Sequence, residues 1–369
     1  MNILYLSISA GGGHIKVCES INEEVLKRYP SSTSAIIDAF KYINPVLDKL
    51  VVGSYLNTVK KTPKIYGKLY KMSEDGGNIH DFGKTVNKLL SYKIMKLIRR
   101  SKASAVVCSH PFPIQMILNI RKKKRINIPV VAVMTDYSIH QLWLHKDIDA
   151  YVVAHDFIKY ELMLRGIPEQ KIHPLGIPVA KEFTLAKNRT DVCKSLNIKN
   201  TFTILIMGGS LGFGKINEIF KSLLNQKRNL QIIVVAGKNQ KLKSQLEEAI
   251  YPKSKKVEIL GYTKRVADLM TASDIIITKP GGITIAEAIV KNLPIIITSP
   301  IPGQEERNAH FLMNTGVAAR ISEDETINSI IHQVVDNPLR ISHMKEIARF
   351  LAKPYACPEI VDLLEKLTR

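Results

Sequence analysis

The feature that most constrains this chain is one continuous stretch, residues 274–308, with the pattern strand, glycine turn, helix, strand and polar loop. Residues 274–278 form a short β-branched run bounded by the tetrad 279–282, which is typical of a buried parallel strand. The apolar spacing predicts a helix over 284–292 and a second strand over 293–298. A unit of this kind belongs to an open α/β sheet with helices packed against it.

Two glycines, Gly281 and Gly282, stand where the first strand of this unit gives way to the helix. They let the backbone approach a ligand closely, and the unpaired N–H groups of the helix N-terminus attract an anion. Gln304 and Glu305 follow the second strand, at the carboxyl edge where open α/β sheets bind ligands. A phosphate site beside a carboxamide and a carboxylate predicts a nucleotide-sugar. The alternative for the glycines is an ordinary turn, which is common before helices.

Glu287 has two interpretations. Thr284 and Glu287 have the spacing of a capping box, in which the carboxylate satisfies backbone donors at the helix start. Alternatively, Glu287 binds the hydroxyls of a ribose, and one carboxylate could not easily do both.

Length and composition limit the classes of protein. A chain of 369 residues that is 45% hydrophobic can bury two domain-sized cores. Its four cysteines lie far apart, so they indicate neither a zinc site nor a disulfide framework, and a reducing cytoplasm is expected. We expect no signal peptide ahead of the first strand, and no uncharged apolar run of about 18 residues predicts a membrane span.

The net charge of +20 is unevenly distributed. Residues 51–125 contain 17 Lys or Arg and three acidic residues. A basic field of this kind favours a polyanionic partner, either nucleic acid or an anionic membrane surface. A solvated lysine-rich surface is the alternative.

The N-terminal segment predicts a strand over 2–8, a turn containing Gly11, Gly12, Gly13 and His14, and a helix to about residue 29. A histidine in the first turn of a helix tends to stay neutral because the helix dipole disfavours the imidazolium. A neutral imidazole at the mouth of a sheet can act as a general base. A polar residue that simply starts the helix is the alternative.

Residues 45–72 interleave apolar and aromatic side chains with lysines, a pattern that suits a segment lying in a membrane interface. The aromatic residues concerned are Tyr55, Tyr66 and Tyr70, and the lysines are Lys60, Lys61, Lys64, Lys68 and Lys71. The basic run 121–125 could add to the attraction. An ordinary amphipathic helix packed on its own domain is the alternative.

The remaining pattern predicts two doubly wound, Rossmann-like α/β domains whose glycine turns face a shared cleft. Further strands are expected over 104–108, 128–134, 151–154, 203–207, 231–236 and 257–261. We expect an N-terminal domain over 1–185, with the C-terminal helix 355–369 packing back on it, and a C-terminal domain over 200–354. Residues 175–179 and the polar tract 186–200 are interpreted as a domain linker.

Five motifs carry a family resemblance that extends over nearly the whole chain. They are Gly11-Gly12-Gly13-His14, Ser109-His110-Pro111, Thr135-Asp136, Gly208-Gly209-Ser210, and the long unit from Lys279 through Glu305 to Asn308. With these motifs the chain resembles the monogalactosyldiacylglycerol synthase and processive diacylglycerol glucosyltransferase family. That family consists of family 28 glycosyltransferases with the GT-B fold, related to the lipid II N-acetylglucosaminyltransferase.

The resemblance implies that the C-terminal half binds a UDP-sugar. It places the uracil by Gly261, Tyr262 and Val266, and the ribose at Glu287. It places the pyrophosphate at the helix starts formed by Gly209, Ser210, Gly281, Gly282, Ile283 and Thr284. Gln304 and Glu305 become contacts of the sugar hydroxyls.

The resemblance also implies the acceptor side. His14 and Asp136 form the pair that activates the acceptor, and Gly12, Gly13 and His110 lie beside it. The resemblance implies no metal and no cofactor besides the donor substrate. The expected reaction is an inverting hexose transfer to diacylglycerol, by a protein bound peripherally to anionic lipids on the inner face of the membrane.

Three alternatives stay open. N-acetylglucosamine transfer to a polyprenyl lipid would share the fold and differ in the donor. A UDP-sugar epimerase would need additional acid–base carboxylates and no membrane segment. Nucleic-acid binding is supported by charge alone and lacks a known binding module, so no nucleic acid is expected as a partner.

Overall fold

The computed structural model describes residues 1–9, 13–43, 92–123, 126–209, 212, 214–251, 255–321 and 326–369. The chain divides into two compact units. The first contains Met1–Ala180, Ile301–Gln304 and Lys353–Arg369, and the second contains Lys181–Pro300 and Glu305–Ala352. Each unit is built on one parallel sheet.

The strands are short and mostly buried. The first sheet contains β1 (Ile3–Ser7), β2 (Ala35–Asp38), β3 (Ala105–Cys108), β4 (Val130–Val133), β5 (Ala150–Val152) and β6 (Ile172–His173). The second contains β7 (Thr203–Met207), β8 (Gln231–Val235), β9 (Lys256–Leu260), β10 (Ile275–Thr278), β11 (Ile295–Ile297) and β12 (Ala318–Arg320). Strands that are covered on both faces consist of near-continuous apolar runs, which is why the sequence pattern identified most of them.

Helices connect the strands. They are α1 (Gly13–Arg28), α2 (Ala39–Ile43), α3 (Pro111–Lys122), α4 (Asp156–Leu164), α5 (Lys181–Thr184), α6 (Arg189–Leu196), α7 (Ile216–Leu224), α8 (Gln240–Glu247), α9 (Val266–Thr271), α10 (Gly282–Val290), α11 (Gln304–Thr315), α12 (Ile327–Val335), α13 (Pro338–Leu351) and α14 (Ala356–Thr368). Residues 92–101 are also helical. No helix in the described ranges is both long and apolar enough to cross a membrane.

The strand order of each sheet reverses once. The first sheet has the order β2-β1-β3-β4-β5-β6, so its reversal lies between β1 and β3. The second has the order β12-β11-β10-β7-β8-β9, with the reversal between β7 and β10. Open α/β sheets bind ligands beyond the carboxyl ends of the strands at such a point. The predicted fold class, α/β with two doubly wound sheets, is confirmed.

The C-terminal helix α14 packs on α1 in the first unit. The Arg28 guanidinium donates to the Asp362 carboxylate and, at 3.2 Å, to the Pro358 carbonyl. Gly176 (φ +99°) lies beneath the chain that leads into α14, and a Cβ there would be 2.3 Å from Lys353 Cβ. Glycine is therefore required at this position for the C-terminal stretch to fold back.

The predicted linker over 186–200 is wrong, because most of this segment is the helix α6 of the second unit. Asn188 caps the helix by accepting from the Thr190 N–H at 2.8 Å. Val192 and Cys193 are buried and pack in one cluster with Ala272. A polar helix that buries only two residues gives little apolar periodicity, so its sequence resembles a linker.

Candidate active site

In the first unit, polar side chains gather beyond the carboxyl ends of β1, β3 and β4. His14 lies in the first turn of α1, directly after the β1 loop. Ser109 and His110 follow β3, and Thr135 and Asp136 follow β4. These are the strands at and next to the reversal of strand order, so the structure brings the predicted pair His14 and Asp136 to a ligand-binding edge.

The neighbours of His14 determine which of its ring nitrogens carries the proton. Nδ1 lies 3.0 Å from the Ser109 carbonyl oxygen, which can only accept a hydrogen bond. Nδ1 therefore carries the proton, and Nε2 presents a lone pair. The Thr135 hydroxyl is also 3.0 Å from Nδ1 and faces the Asp136 carboxylate at 3.5 Å. This arrangement is that of a general base with a backbone group holding its tautomer.

Burial is the main influence on the charge of His14. Burial lowers its pKa, while Asp136 and the Ser109 carbonyl oppose this by favouring the imidazolium. The sequence predicted a neutral imidazole from the helix dipole. Burial is a further cause of the neutral form, and the sequence pattern did not show it.

The side chain of Ser109 belongs to a buried hydrogen-bonded network. The Ser109 hydroxyl is 2.8 Å from the Ser7 hydroxyl and 3.3 Å from the Cys18 thiol, and all three side chains are buried. Ser7 and Cys18 were not predicted as site residues, since an isolated serine or cysteine inside an apolar run carries no recognisable signal. Their hydrogen bonds orient the residue whose carbonyl anchors His14.

His110 lies next to His14. It is the N-cap of α3, where its Nδ1 accepts the Phe112 N–H at 3.4 Å. Its ring centroid is 5.0 Å from that of His14, in an edge-to-face arrangement of 79°. Burial, followed by the neighbouring His14 and His140, holds the pKa of His110 well below its ordinary value. His110 is thus a neutral imidazole in this cluster.

The structure describes only some of the other residues that were predicted on the acceptor side. Gly13 is the first residue of α1, and Gly12 lies outside the described residues. The predicted membrane residues, Tyr55, Tyr66, Tyr70, Lys60, Lys61, Lys64, Lys68 and Lys71, also lie outside them. Gln304, predicted to contact the sugar, groups with the first unit, where its side-chain amide donates to the Asp136 carboxylate.

In the second unit, glycines occupy both sides of the strand reversal. Gly209 follows β7 with φ +71°, a backbone conformation that favours glycine, and Ser210 lies outside the described residues. Gly281 and Gly282 follow β10 and begin α10. The first N–H groups of α10, including those of Ile283 and Thr284, have no partner within the helix. They give this edge the donors of an anion site.

The start of α10 excludes the capping-box interpretation of Glu287. The N-cap is Gly281, and its carbonyl accepts from the Ile285 N–H at 3.1 Å. Thr284 therefore lies inside the helix rather than at its cap, and Glu287 lies a further turn along it. Glu287 is only 6% exposed, which is unusual for a carboxylate that has no capping role.

The described residues of the second unit do not fill the space beside Gly281. A Cβ added at Gly281 would meet only Glu305 Oε1, at 4.0 Å, and the backbone there (φ −72°) suits any residue. Neither packing nor backbone conformation of the described residues requires glycine at this position. A ligand that approaches the backbone closely would require it.

An ion pair and an amide hold the turn beside this space. Lys279 Nζ is 2.8 Å from Glu305 Oε1 and 3.2 Å from Oε2. The Asn308 amide, fully buried, donates to the Pro280 carbonyl at 3.0 Å. The loop predicted around residues 304 and 305 is instead the first turn of α11, which corrects the prediction. Lys279 and Asn308 were not predicted as site residues.

The predicted uracil residues lie at the other end of the sheet's carboxyl edge. Gly261 and Tyr262 follow the edge strand β9, and Val266 begins α9. Tyr262 is 57% exposed, and Lys238 Nζ lies 5.8 Å from the centre of its ring. An exposed aromatic ring at this edge is available to stack on a base. No cluster of three His, Cys, Asp or Glu that could hold a metal occurs among the residues described.

Two protein-family models match the chain, one in each of the halves that contain the two sheets. Residues 14–179 match the model of monogalactosyldiacylglycerol (MGDG) synthase, and residues 203–353 match that of the glycosyltransferase family 28 C-terminal domain. A processive diacylglycerol beta-glucosyltransferase of Bacillus mycoides (strain KBAB4) is 29% identical over 371 residues, covering 98% of this chain and 92% of that protein. The protein of the same name from Bacillus anthracis (strain A0248) is 28% identical over 370 residues.

Solved structures show the same fold at low identity. MurG of Acinetobacter baumannii has a TM-score of 0.64 and 17% identity, covering 99% of both chains. A UDP-GlcNAc 2-epimerase of Neisseria meningitidis, bound to UDP-GlcNAc, has a TM-score of 0.60 and 16% identity, covering 99% of this chain and 100% of that one. The GT-B fold expected from the family resemblance is confirmed.

Proposed function

Because this chain belongs to the family of monogalactosyldiacylglycerol synthases and processive diacylglycerol glucosyltransferases, we propose that it transfers a hexose from a UDP-sugar to diacylglycerol. The observation that carries the proposal is the fixed tautomer of His14. Its Nδ1–H is bound by the Ser109 carbonyl, so Nε2 is available as a base beside Asp136 at a ligand-binding edge.

The chemical step is a single in-line displacement with inversion. The free hydroxyl of diacylglycerol gives its proton to His14 Nε2, and its oxygen forms a bond to the anomeric carbon. The bond from that carbon to the UDP oxygen breaks, and the electron pair leaves with UDP. Asp136 stabilises the resulting imidazolium, because its charge favours the protonated form of His14.

The donor occupies the second unit in this proposal. The N–H groups at the start of α10 and the turn at Gly209 bind the pyrophosphate, and they stabilise the charge that develops on the leaving UDP. Glu287 accepts hydrogen bonds from the ribose hydroxyls, and Glu305 accepts hydrogen bonds from the hydroxyls of the hexose. These groups supply the charge stabilisation without a metal ion.

Glucose and galactose are the two candidate sugars. The curated relatives are named glucosyltransferases, whereas the family model of the first half is named for a galactolipid synthase. The two hexoses differ at one hydroxyl, so discrimination depends on which hydrogen-bonding group faces that position.

The test is incubation of the purified protein with diacylglycerol in mixed micelles and a panel of radiolabelled UDP-sugars. We expect label in a glycosyl-diacylglycerol with UDP-glucose or UDP-galactose, at a higher rate than with UDP-N-acetylglucosamine. A polyprenyl phosphate lipid serves as the competing acceptor. Transfer to that acceptor alone, or conversion of the UDP-sugar without any lipid product, would refute the proposal.

A further inference from the structure

His14 and His110 present opposite hydrogen-bonding groups. In His14, Nδ1 faces the Ser109 carbonyl at 3.0 Å and must donate, which leaves a lone pair on Nε2. In His110, Nδ1 faces the Phe112 N–H at 3.4 Å and must accept. Since burial and the neighbouring histidines keep His110 neutral, its single proton resides on Nε2.

The two rings lie close together in an edge-to-face arrangement. Their centroids are 5.0 Å apart and their planes lie at 79°. The His110 ring stacks on Phe112 at 5.2 Å and 16°, and Phe112 contacts the buried Phe40 at 5.7 Å. The orientation of His110 is therefore set by a cap on one side and an aromatic wall on the other. Neither Nε2 atom has a hydrogen-bond partner among the residues that the structure describes.

We infer that His110 is the donor that holds the attacking oxygen of the acceptor while His14 accepts its proton. A hydroxyl has one proton and two lone pairs, so it can donate to His14 Nε2 and accept from His110 Nε2–H at the same time. This inference rests on the proposed function, and it adds a substrate contact and its chemical role. His110 keeps its proton throughout the step, because only the His14 nitrogen has a free lone pair.

The opposite tautomers of His14 and His110 favour a neutral hydroxyl as the attacking group of the acceptor. Two neutral histidines of the same tautomer could offer an oxygen two donors or two acceptors, and neither would align a neutral hydroxyl for attack. One donor and one acceptor match a hydroxyl, whereas an ammonium group has no lone pair for His110. The pair thus favours an alcohol as the attacking group.

Two substitutions at His110 test the roles of its Nδ1 and Nε2 atoms separately. His110→Asn keeps a side-chain acceptor for the Phe112 N–H, as asparagine is a good N-cap, but it loses the distal donor. His110→Gln places an amide N–H at the position of Nε2 and loses the cap. We expect His110→Asn to lower kcat/KM for diacylglycerol by about 10- to 100-fold, with UDP binding unchanged. His110→Gln should retain more activity although it is the less stable protein.

The two variants are expected to rank in opposite order for activity and for stability. This result would distinguish a substrate contact by His110 from a purely structural role. If activity follows thermal stability, so that His110→Asn is the more active variant, His110 acts only as a cap. Wild-type kcat/KM in a folded His110→Asn protein would also overturn the inference.

Imidazole ¹⁵N–¹H correlation spectra test the proton positions without any turnover. Signals are assigned with the His14→Gln and His110→Asn proteins. At pH 7 we expect the Nδ1–H tautomer for His14 and the Nε2–H tautomer for His110. A His110 that carries its proton on Nδ1, or that is doubly protonated, would contradict the inference. A wild type that transfers no hexose to diacylglycerol would instead refute the proposed function, and the spectra would still decide the tautomers.

Discussion

At the scale of single residues, the direction of one carbonyl group determines what His14 can do. The Ser109 carbonyl accepts from Nδ1, and the Ser109 side chain is itself held by Ser7 and Cys18. Because this network is buried, it does not exchange its hydrogen bonds with solvent, and Nε2 stays available as an acceptor.

The pH dependence of turnover follows from the charge of His14. Burial lowers its pKa below the ordinary 6.5, so the neutral base is present above that lowered pKa and is lost as the pH falls through it. We expect the acid limb of the kcat profile below pH 6.5. His14→Ala should lower kcat by about 10²–10⁴-fold while UDP affinity stays near that of wild type. Near-normal turnover in a folded His14→Ala protein would return His14 to a helix-start role.

Asp136→Asn provides the matched control. Asp136 raises the pKa of His14, so its removal should move the acid limb to lower pH. It should also reduce the maximal rate, because the imidazolium loses its stabilising charge. Stopped assays between pH 4.5 and pH 8, values chosen to be roughly two units around the ordinary histidine pKa, measure both effects. A shift of the limb to higher pH would contradict the assigned electrostatics.

Glu287 is the second residue whose role can be measured alone. The structure excludes it as a cap, so the effect of Glu287→Gln is expected on ligand binding rather than on the start of α10. If Glu287 binds the ribose, this substitution should weaken UDP and UDP-sugar equally, by about 1–3 kcal/mol. Glu305→Gln should weaken the UDP-sugar but not UDP. Calorimetry that finds unchanged affinity in both variants would refute the donor assignment.

At the scale of elements, helix α10 and the turn before it form the donor site of the proposal. Asn308 holds the Pro280 carbonyl, and Lys279 holds the Glu305 carboxylate. These contacts fix the turn on two sides and leave the third, beside Gly281, unfilled by described residues.

Gly281→Ala tests whether a ligand uses that side. The backbone at Gly281 suits alanine, and the nearest atom to the new Cβ would be 4.0 Å away. We therefore expect normal folding and weaker UDP binding, measured by thermal unfolding and calorimetry. Gly212→Ala is the contrasting control, since its Cβ would lie 2.3 Å from the Ala236 carbonyl and should destabilise the protein. Unchanged UDP affinity in Gly281→Ala would remove the turn from the donor site.

Apolar patterns predicted the elements better than their ends. The runs at β7 and β10 were identified because buried parallel strands are continuously apolar. The start of α10 was placed two residues late, since threonine is ordinarily a better N-cap than a residue in a glycine pair. The contacts of Lys279 with Glu305 and of Asn308 with Pro280 join residues 26 and 28 positions apart. No local spacing encodes such contacts, because they depend on how α11 packs.

At the scale of the whole molecule, each unit places its candidate residues at the reversal of its own strand order. His14 follows β1 in the first sheet, and Gly281 follows β10 in the second. The predicted membrane segment 45–72 lies outside the described residues, and its role stays a prediction. Its basic and aromatic composition is the basis for a test with lipid vesicles.

We expect the protein to sediment with anionic vesicles, less in high salt, and only weakly with neutral vesicles. Each lysine near an anionic surface contributes about 1 kcal/mol within a Debye length. Replacing Lys60, Lys61, Lys64, Lys68 and Lys71 by glutamine should therefore reduce binding and activity on vesicles while UDP binding is spared. Equal sedimentation with neutral and anionic vesicles, before and after the change, would show that the lysines only solubilise the surface.

The most direct test of the account is the stoichiometry of one reaction. Purified protein, diacylglycerol and the preferred UDP-hexose are incubated with EDTA, and released UDP and glycosyl-diacylglycerol are quantified together. Early in the reaction we expect one glycolipid hexose for each UDP, in the inverted configuration, with both products strongly reduced in His14→Ala. UDP released without an equal amount of glycolipid, or products that do not depend on His14, would contradict it.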